Sequence, residues 1–425
     1  MIADEAPAST TNLWLPLLPD PRRFVALPST RQPVVVAEKD PGVMAYVAHA
    51  LLAAPPGSRT ARVPAWVQAA TRHALRAPVT WGVLPAVDGV VQPDATAGPD
   101  GLADWIADSG HRMLILDHSH DGDGRVVVLL FTAGQRQPSI ALKVATGAGG
   151  ARLREEDARL RSLRTLRMGP LRSTVPHLLP PPADPHLTVL ATSAQPGVPM
   201  LVSYHRPGHV RSPARVRADF RAAGTWLAQL QSERVGGSAP LDLRPGCVEA
   251  AARVLGDRPA EQDRVLELLS SLRSRLRRYS VARTVVHGDY WPGNLLVREG
   301  RVSGVVDWER AEPRGNPVGD LVRFAVAYAH YLDRHTRPGR PVRGHPGLIA
   351  GPPGAGVLHA TDGSGWFPSL VRAYLQEGLT RLDLPPSLGR DAVLADVAAT
   401  AAEAARPGFA RDQWSLFLAL GAVES

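Results

Sequence analysis

The 425-residue chain is nearly without two residue types, with one cysteine, Cys247, and two lysines, Lys39 and Lys143. A single thiol can close no internal disulfide and build no thiolate zinc cage. Long apolar runs are missing too. A stretch such as "RVVVLLF" falls far short of the roughly 18 apolar residues of a membrane span. The opening "MIADEAPASTTNLW" is acidic and polar, with no apolar core of signal-peptide length. These absences predict a cytoplasmic protein with no membrane partner. No G-x-x-x-x-G-K-[ST] run occurs, which excludes a P-loop.

Apolar residues make up 44% of the chain, enough for a folded protein of two or three domains. The net charge of +8 raises a nucleic-acid role. The arginines, however, are spread over helical patterns such as "RLREEDARLRSLRTLR", with acids among them. No basic run is paired with stacking aromatics, and no helix-turn-helix, RNP or zinc-finger pattern occurs. No nucleic-acid partner is expected, and steeply salt-dependent retention on DNA would contradict that. With arginine the default cation, each lysine becomes informative.

Residues 1–110 read as a Pro-rich N-terminal extension of unknown role. They hold a hairpin, "RRFVALP" and "PVVVAEKD" around "STRQ", and a helix, "GVMAYVAHALLAA". Residues 111–195 carry the β-rich runs "RMLILDHS", "RVVVLLFTAG" and "PSIALKVAT". The helical "ARLREEDARLRSLRTL" follows, with Leu153, Leu160 and Leu163 on one face, and then the strand "HLTVLAT". Residues 196–425 change to long helical patterns, among them "SPARVRADFRAAGTWLAQLQSER" and "DRVLELLSSLRSRLRRYS", broken by one strand-turn-strand. "RPGRPVRGHPGLIAGPPGAG" reads as a mobile surface loop.

The interruption carries the chemistry: "HGDYWPGNLLVREGRVSGVVDWERAEPRGNPVGDL". "NLLV", the turn "REGR" and "VSGVVDW" form a hairpin that brings Asn294 at one end close to Asp307 at the other. Asp289 lies in the loop just before it. Two carboxylates and a carboxamide at one mouth are hard oxygen donors of the kind Mg²⁺ takes beside substrate phosphates. The Asp-x4-Asn spacing matches the kinase catalytic loop, where Asp takes the acceptor proton and Asn binds metal. A downstream Asp completes that metal site.

"HGDYWPGN" followed by "VVDWE" resembles the motif of the aminoglycoside phosphotransferase and choline kinase-like family, the protein-kinase-like small-molecule kinases. The resemblance covers roughly Arg112 to the C-terminus and is sharp between Val285 and Leu321. It implies an α+β, two-lobed protein-kinase-like fold, with a β-rich N-lobe, a mainly helical C-lobe and the N-terminal extension. By position, it implies that Asp289 is catalytic, that His287 braces its loop, and that Asn294 and Asp307 are Mg²⁺ ligands. Asp320 in "GNPVGDL" becomes a structural acid bonding back to the catalytic loop.

A kinase-like small lobe also needs a lysine on its third strand and a glutamate on the following helix. "SIALKVAT" supplies Lys143, a compact ammonium on a flexible stem where arginine's wide fork would fit less well beside phosphates. Lys39 also ends a β-like run, but the helix after it has no acid. In "LREEDARLRSL" the family pattern aligns best with Glu156. Glu155 is the near alternative, about 100° away around the helix. The phosphate-covering loop "DHSHDGDGR" offers Ser119, Gly122 and Gly124 for backbone approach, beside Asp121 and Asp123, and matches the family only in position. "GAGGAR" at Gly147 has Arg152 where a dinucleotide fingerprint needs its third glycine. Adenine is expected against the connector, on backbone groups from Ala191 to Ala194.

The function implied is transfer of the ATP γ-phosphoryl group, with Mg²⁺, to a hydroxyl of a small molecule. A sugar, an aminoglycoside or a similar metabolite remains open as acceptor, as does ATP against GTP. A kinase-like binding or scaffold protein without turnover is the competing class, which calorimetry with Mg-ATP separates. Nothing in the sequence sets an oligomeric state.

Overall fold

Strands with apolar residues in both alternating positions predict a sheet covered on both faces. The computed structural model describes residues 14–27, 33–51, 75, 77, 78, 81, 84, 87, 101–117 and 125–422, apart from 167, 185 and 233. It contains such a sheet, with strands in the order β1-β2-β3-β4-β5-β6. These are β1 Phe24–Leu27, β2 Val35–Glu38, β3 Arg112–Asp117, β4 Arg125–Phe131, β5 Ile140–Ala145 and β6 Thr188–Ser193. Every neighbouring pair is antiparallel.

The hairpin of the N-terminal extension is part of this sheet, because Val35, Val36 and Ala37 pair with Leu116, Ile115 and Leu114. One sheet face presents Ile115, Val126, Val128, Leu130, Leu142 and Val144 to Trp14, Leu17, Phe24 and Ile106. The other presents Leu114, Leu129 and Phe131 to Val43 and Met44 of α1 Pro41–Tyr46. Asp40 caps α1, accepting from the amides of Gly42 and Val43. Helix α2, Leu102–Asp108, closes the described part of the extension.

After β5 comes α3, Gly147–Arg164. Its expected apolar face of Leu153, Leu160 and Leu163 is buried in the core of the helical lobe. A short β7, Val198–Pro199, and α4, Met200–Tyr204, lead to α5, Pro213–Ser232. Val216, Phe220, Ala223, Leu227 and Leu230 line the buried side of α5 at helical spacing. Strand β8 Arg234–Pro240, helices α6 Cys247–Leu255 and α7 Pro259–Leu276, and β9 Ser280–Val286 precede the hairpin.

The hairpin consists of β10 Leu295–Arg298 and β11 Arg301–Val305. Glu299 at φ 54° and Gly300 at φ 74° form its two-residue turn, the left-handed pair such a turn requires. Strand β12, Glu312–Gly315, then pairs with β9. Helix α8, Pro317–His330, starts where the Asn316 side chain accepts from the Val318 amide and Pro317 takes the first position. Helices α9 Ala355–Asp362, α10 Trp366–Arg381, α11 Gly389–Glu403 and α12 Pro407–Gly421 complete the lobe.

The stretch expected as a mobile loop is anchored instead. Pro341 bridges to Ile349, Val342, His345 and Leu348 are buried, and His345 Nε2 lies 2.9 Å from the Val210 carbonyl. Among the described residues, no helix is long and apolar enough to cross a membrane.

Candidate active site

The loop after β9 makes a turn that needs glycine. Gly288 has φ 82°, and a Cβ there would lie 2.2 Å from the Arg310 carbonyl oxygen. The turn leaves two amides pointing inward, and Asp320, in the first turn of α8, accepts both. The His287 amide lies 2.6 Å from one carboxylate oxygen and the Gly288 amide 2.8 Å from the other. Burial pushes the Asp320 carboxyl above its ordinary value, with His287 and the two amides pulling the other way. The His287 ring is wholly buried. Its Nε2 lies 2.9 Å from the Val306 carbonyl, and its Nδ1 faces the Asp289 amide at 3.3 Å. Both ring nitrogens are thus used inside the chain. Tyr290 is locked beneath, stacked on Trp226 at 5.2 Å and donating to the Ala223 carbonyl.

Asp289 and Asn294 meet at the hairpin mouth. Asn294 Nδ2 donates to the Asp289 carbonyl at 3.0 Å and to its Oδ2 at 3.2 Å. Asn294 is tied across the hairpin by the Val306 amide, which donates to its carbonyl at 3.0 Å. Asp307 follows directly, in the left-handed region at φ 69°, a conformation that turns the chain away from the strand.

Lys143 meets these acids from the other lobe. Its Nζ lies 2.7 and 2.6 Å from the two Glu156 oxygens and 2.8 Å from Asp307 Oδ1. Glu156 is buried while Glu155 is exposed, so the helix phase selects between neighbours. Burial disfavours the Lys143 charge, but Asp307 and Glu156 outweigh it and hold the ammonium above its ordinary value. Burial would likewise raise Asp307, yet Lys143 brings it down to about 2. The proton therefore resides on Lys143, and Asp307 is ionised. Lys39 serves elsewhere, donating to the Arg22 carbonyl at 2.9 Å.

Further charged residues join the cleft. Glu309 completes a set with Glu156 and Asp307 whose ligand oxygens lie within 4.8 Å of one another. Arg125, the first residue of β4, pairs with Glu309 at 2.6 Å. Arg323 on α8 approaches Asp289 Oδ1 at 3.4 Å and Glu403 Oε2 at 3.2 Å. Arg244 also pairs with Glu403 and donates to the Gly288 carbonyl at 3.1 Å. One signal was available: Arg323 stands three residues beyond Asp320, on the same helical face.

Two expectations fare differently. Ser119, with Gly122 and Gly124, lies outside the described residues. Of the backbone groups from Ala191 to Ala194 expected against adenine, three are paired inside the fold. The Ala191 carbonyl accepts from the Leu179 amide, the Ser193 amide donates to His177, and the Ala194 amide donates to Ser139. A backbone group already paired inside the fold is not free for a base.

A strand lysine paired with a helical glutamate, facing an oxygen-lined hairpin on a helical lobe, is the build of a protein-kinase-like fold. The phosphotransferase enzyme family model matches residues 118–347, more than half of the chain. The chain belongs to that phosphotransferase family. Among solved structures it is similar to a ternary complex of the aminoglycoside phosphotransferase APH(2″)-IIa with streptomycin and ATP. There the identity is 15% and the TM-score 0.46, over 78% of this chain and 97% of that one. It is also similar to the aminoglycoside phosphotransferase APH(3″)-Id from Streptomyces rimosus. That match has 16% identity and a TM-score of 0.42, over 72% of this chain and 98% of the other. A third is the ADP-bound aminoglycoside phosphotransferase APH(2″)-Ib, at 15% identity and TM-score 0.43, over 72% and 91%. No curated protein matches the chain.

Proposed function

We propose that this phosphotransferase moves the γ-phosphoryl group of ATP to a hydroxyl of a small molecule. The observation that carries the reading is the single ammonium of Lys143 shared between Glu156 and Asp307 across the cleft. Loose phosphoryl transfer asks a protein mainly for positioning and charge, and this junction supplies both.

Lys143, steered by Glu156, would hold the donor phosphates in line. The donor set at the hairpin mouth is oxygen only, which fits Mg²⁺, and Asn294 and Asp307 are its proposed ligands. Bound there, Mg²⁺ supplies Lewis-acid neutralisation of phosphate charge. Asp289 would orient the acceptor hydroxyl and take its proton late, when the bond to phosphorus is largely formed. His287 and Asp320 keep the loop in place and touch no substrate. The lone, buried thiol of Cys247 and the use of ATP support a cytoplasmic setting.

The test is Mg-ATP turnover across a panel of sugars, aminoglycosides, amino alcohols and nucleosides, repeated with Asp289→Ala and Asp307→Ala. Turnover that survives both substitutions overturns the assignment. Mg-ATP binding with no turnover on any acceptor supports the kinase-like binding protein instead.

A further inference from the structure

The cleft contains a second cation placed like the first. In β4 and β5 Val127 pairs with Lys143 and Arg125 with Ala145. Side chains two apart on a strand share a face, so Arg125 and Lys143 both point into the cleft. Three carboxylates, Glu156, Asp307 and Glu309, gather there. Lys143 answers the first two, and Arg125 reaches across from the sheet to the third. The Arg125 and Glu309 side chains keep 24% and 19% of their surface exposed, so a ligand in the cleft can reach the pair.

We propose that Arg125 is a phosphate-binding residue for the donor nucleotide, parked on Glu309 when no nucleotide is present. The proposal rests on the ATP-dependent reading above. Residues 118–124, "HSHDGDG", contain no lysine or arginine. Arg125 is therefore the first permanent cation after the phosphate-covering segment. A guanidinium offers a planar fork that matches two phosphate oxygens, which the Lys143 ammonium cannot. Transfer from one carboxylate to a polyphosphate exchanges a single anion for several at the same guanidinium. Glu309 thereby holds Arg125 over the cleft and keeps it off Glu156 and Asp307.

The full-length protein is titrated calorimetrically with ATP, ADP and adenosine, without Mg²⁺ so that the acids' metal binding is not read. Arg125→Ala should weaken ATP and ADP roughly tenfold or more, the scale of one charge-assisted hydrogen bond to phosphate. Adenosine binding should not change. Arg125→Lys should recover part of the loss, and Glu309→Gln should leave ADP binding equal or tighter. Arg125→Gln serves as second variant if the alanine protein fails to fold. Wild-type affinity for ATP and ADP in a folded Arg125 variant overturns the proposal, as does a loss equal for adenosine. If the wild-type protein binds neither ATP nor ADP with Mg²⁺ restored, the donor reading itself falls and the proposal with it.

Discussion

Lys143 on β5 and Asp307 beyond β11 lie 2.8 Å apart although 164 residues separate them along the chain. One belongs to the sheet and the other to the helical lobe, so this contact joins the two. Glu156 is the third member, bonded through both oxygens and additionally receiving the Trp308 amide at 3.3 Å. The ammonium thus orders two acids that would otherwise repel.

Removing that ammonium should therefore harm both chemistry and folding. Lys143→Ala is expected to reduce turnover about 10²–10³-fold, the usual scale for one lost electrostatic group. It also leaves the buried Glu156 uncompensated, at a stability cost of about 3 kcal/mol. Single-turnover rates and urea denaturation measure the two effects. Lys143→Arg should restore charge without restoring rate, because the fork cannot repeat the three ammonium contacts.

Acid should dissolve the same junction. The Asp307 carboxyl is held down to about 2 by Lys143, below the ordinary aspartate value of about 4. Its contribution is present above that ordinary value and is lost as pH falls through the lower one. Asp307→Asn should therefore flatten the drop in stability between about pH 4 and pH 2. Denaturation midpoints across that window check it, and an unchanged slope would refute the pairing.

Asp320 is expected to govern the rate through the loop. Asp320→Ala strands two inward amides, each worth about 1–3 kcal/mol when left buried and unpaired. The turn at Gly288 should then loosen, so turnover falls while affinity for the donor nucleotide changes little. Stopped assays paired with nucleotide calorimetry separate the two quantities. Equal losses in both would place Asp320 in general stability alone.

A second pH effect has the opposite sign. Burial pushes the Asp396 carboxyl up to about 6, against the pull of Arg323, and its Oδ2 has no hydrogen-bond partner among the described residues. Between about pH 4 and pH 6 the unfolded chain sheds this proton while the folded one keeps it, so stability declines as pH rises. The decline should come to roughly 3 kcal/mol at most and level off above that window. Asp396→Asn should abolish it, as chemical denaturation at three pH values would show.

Local spacing made much of this site legible. "NLLVREGRVSGVV" forms β10, a two-residue turn and β11, and that register alone brings Asn294 and Asp307 to one end. Lys143 and Glu156 were legible through the resemblance, and the burial of Glu156 beside an exposed Glu155 then separated the two acids. Other elements escaped. Helix α10, Trp366–Arg381, was not read from the sequence although Phe367, Val371, Tyr374, Leu375 and Leu379 recur at helical spacing. The pairing of three backbone groups at 191–194 with His177, Leu179 and Ser139 cannot be read from a strand alone.

The amino-acid sequence by itself determined the chemistry on offer: an oxygen-lined hairpin, one strand lysine and a helical glutamate, each set by contacts a few residues long. Tertiary structure alone decided which charges answer one another. Arg125 meets Glu309 and Arg323 meets Asp289 because two lobes and several helices pack together. Ion-pair partners are chosen by distance in space and by burial, and neither is encoded in spacing along a chain.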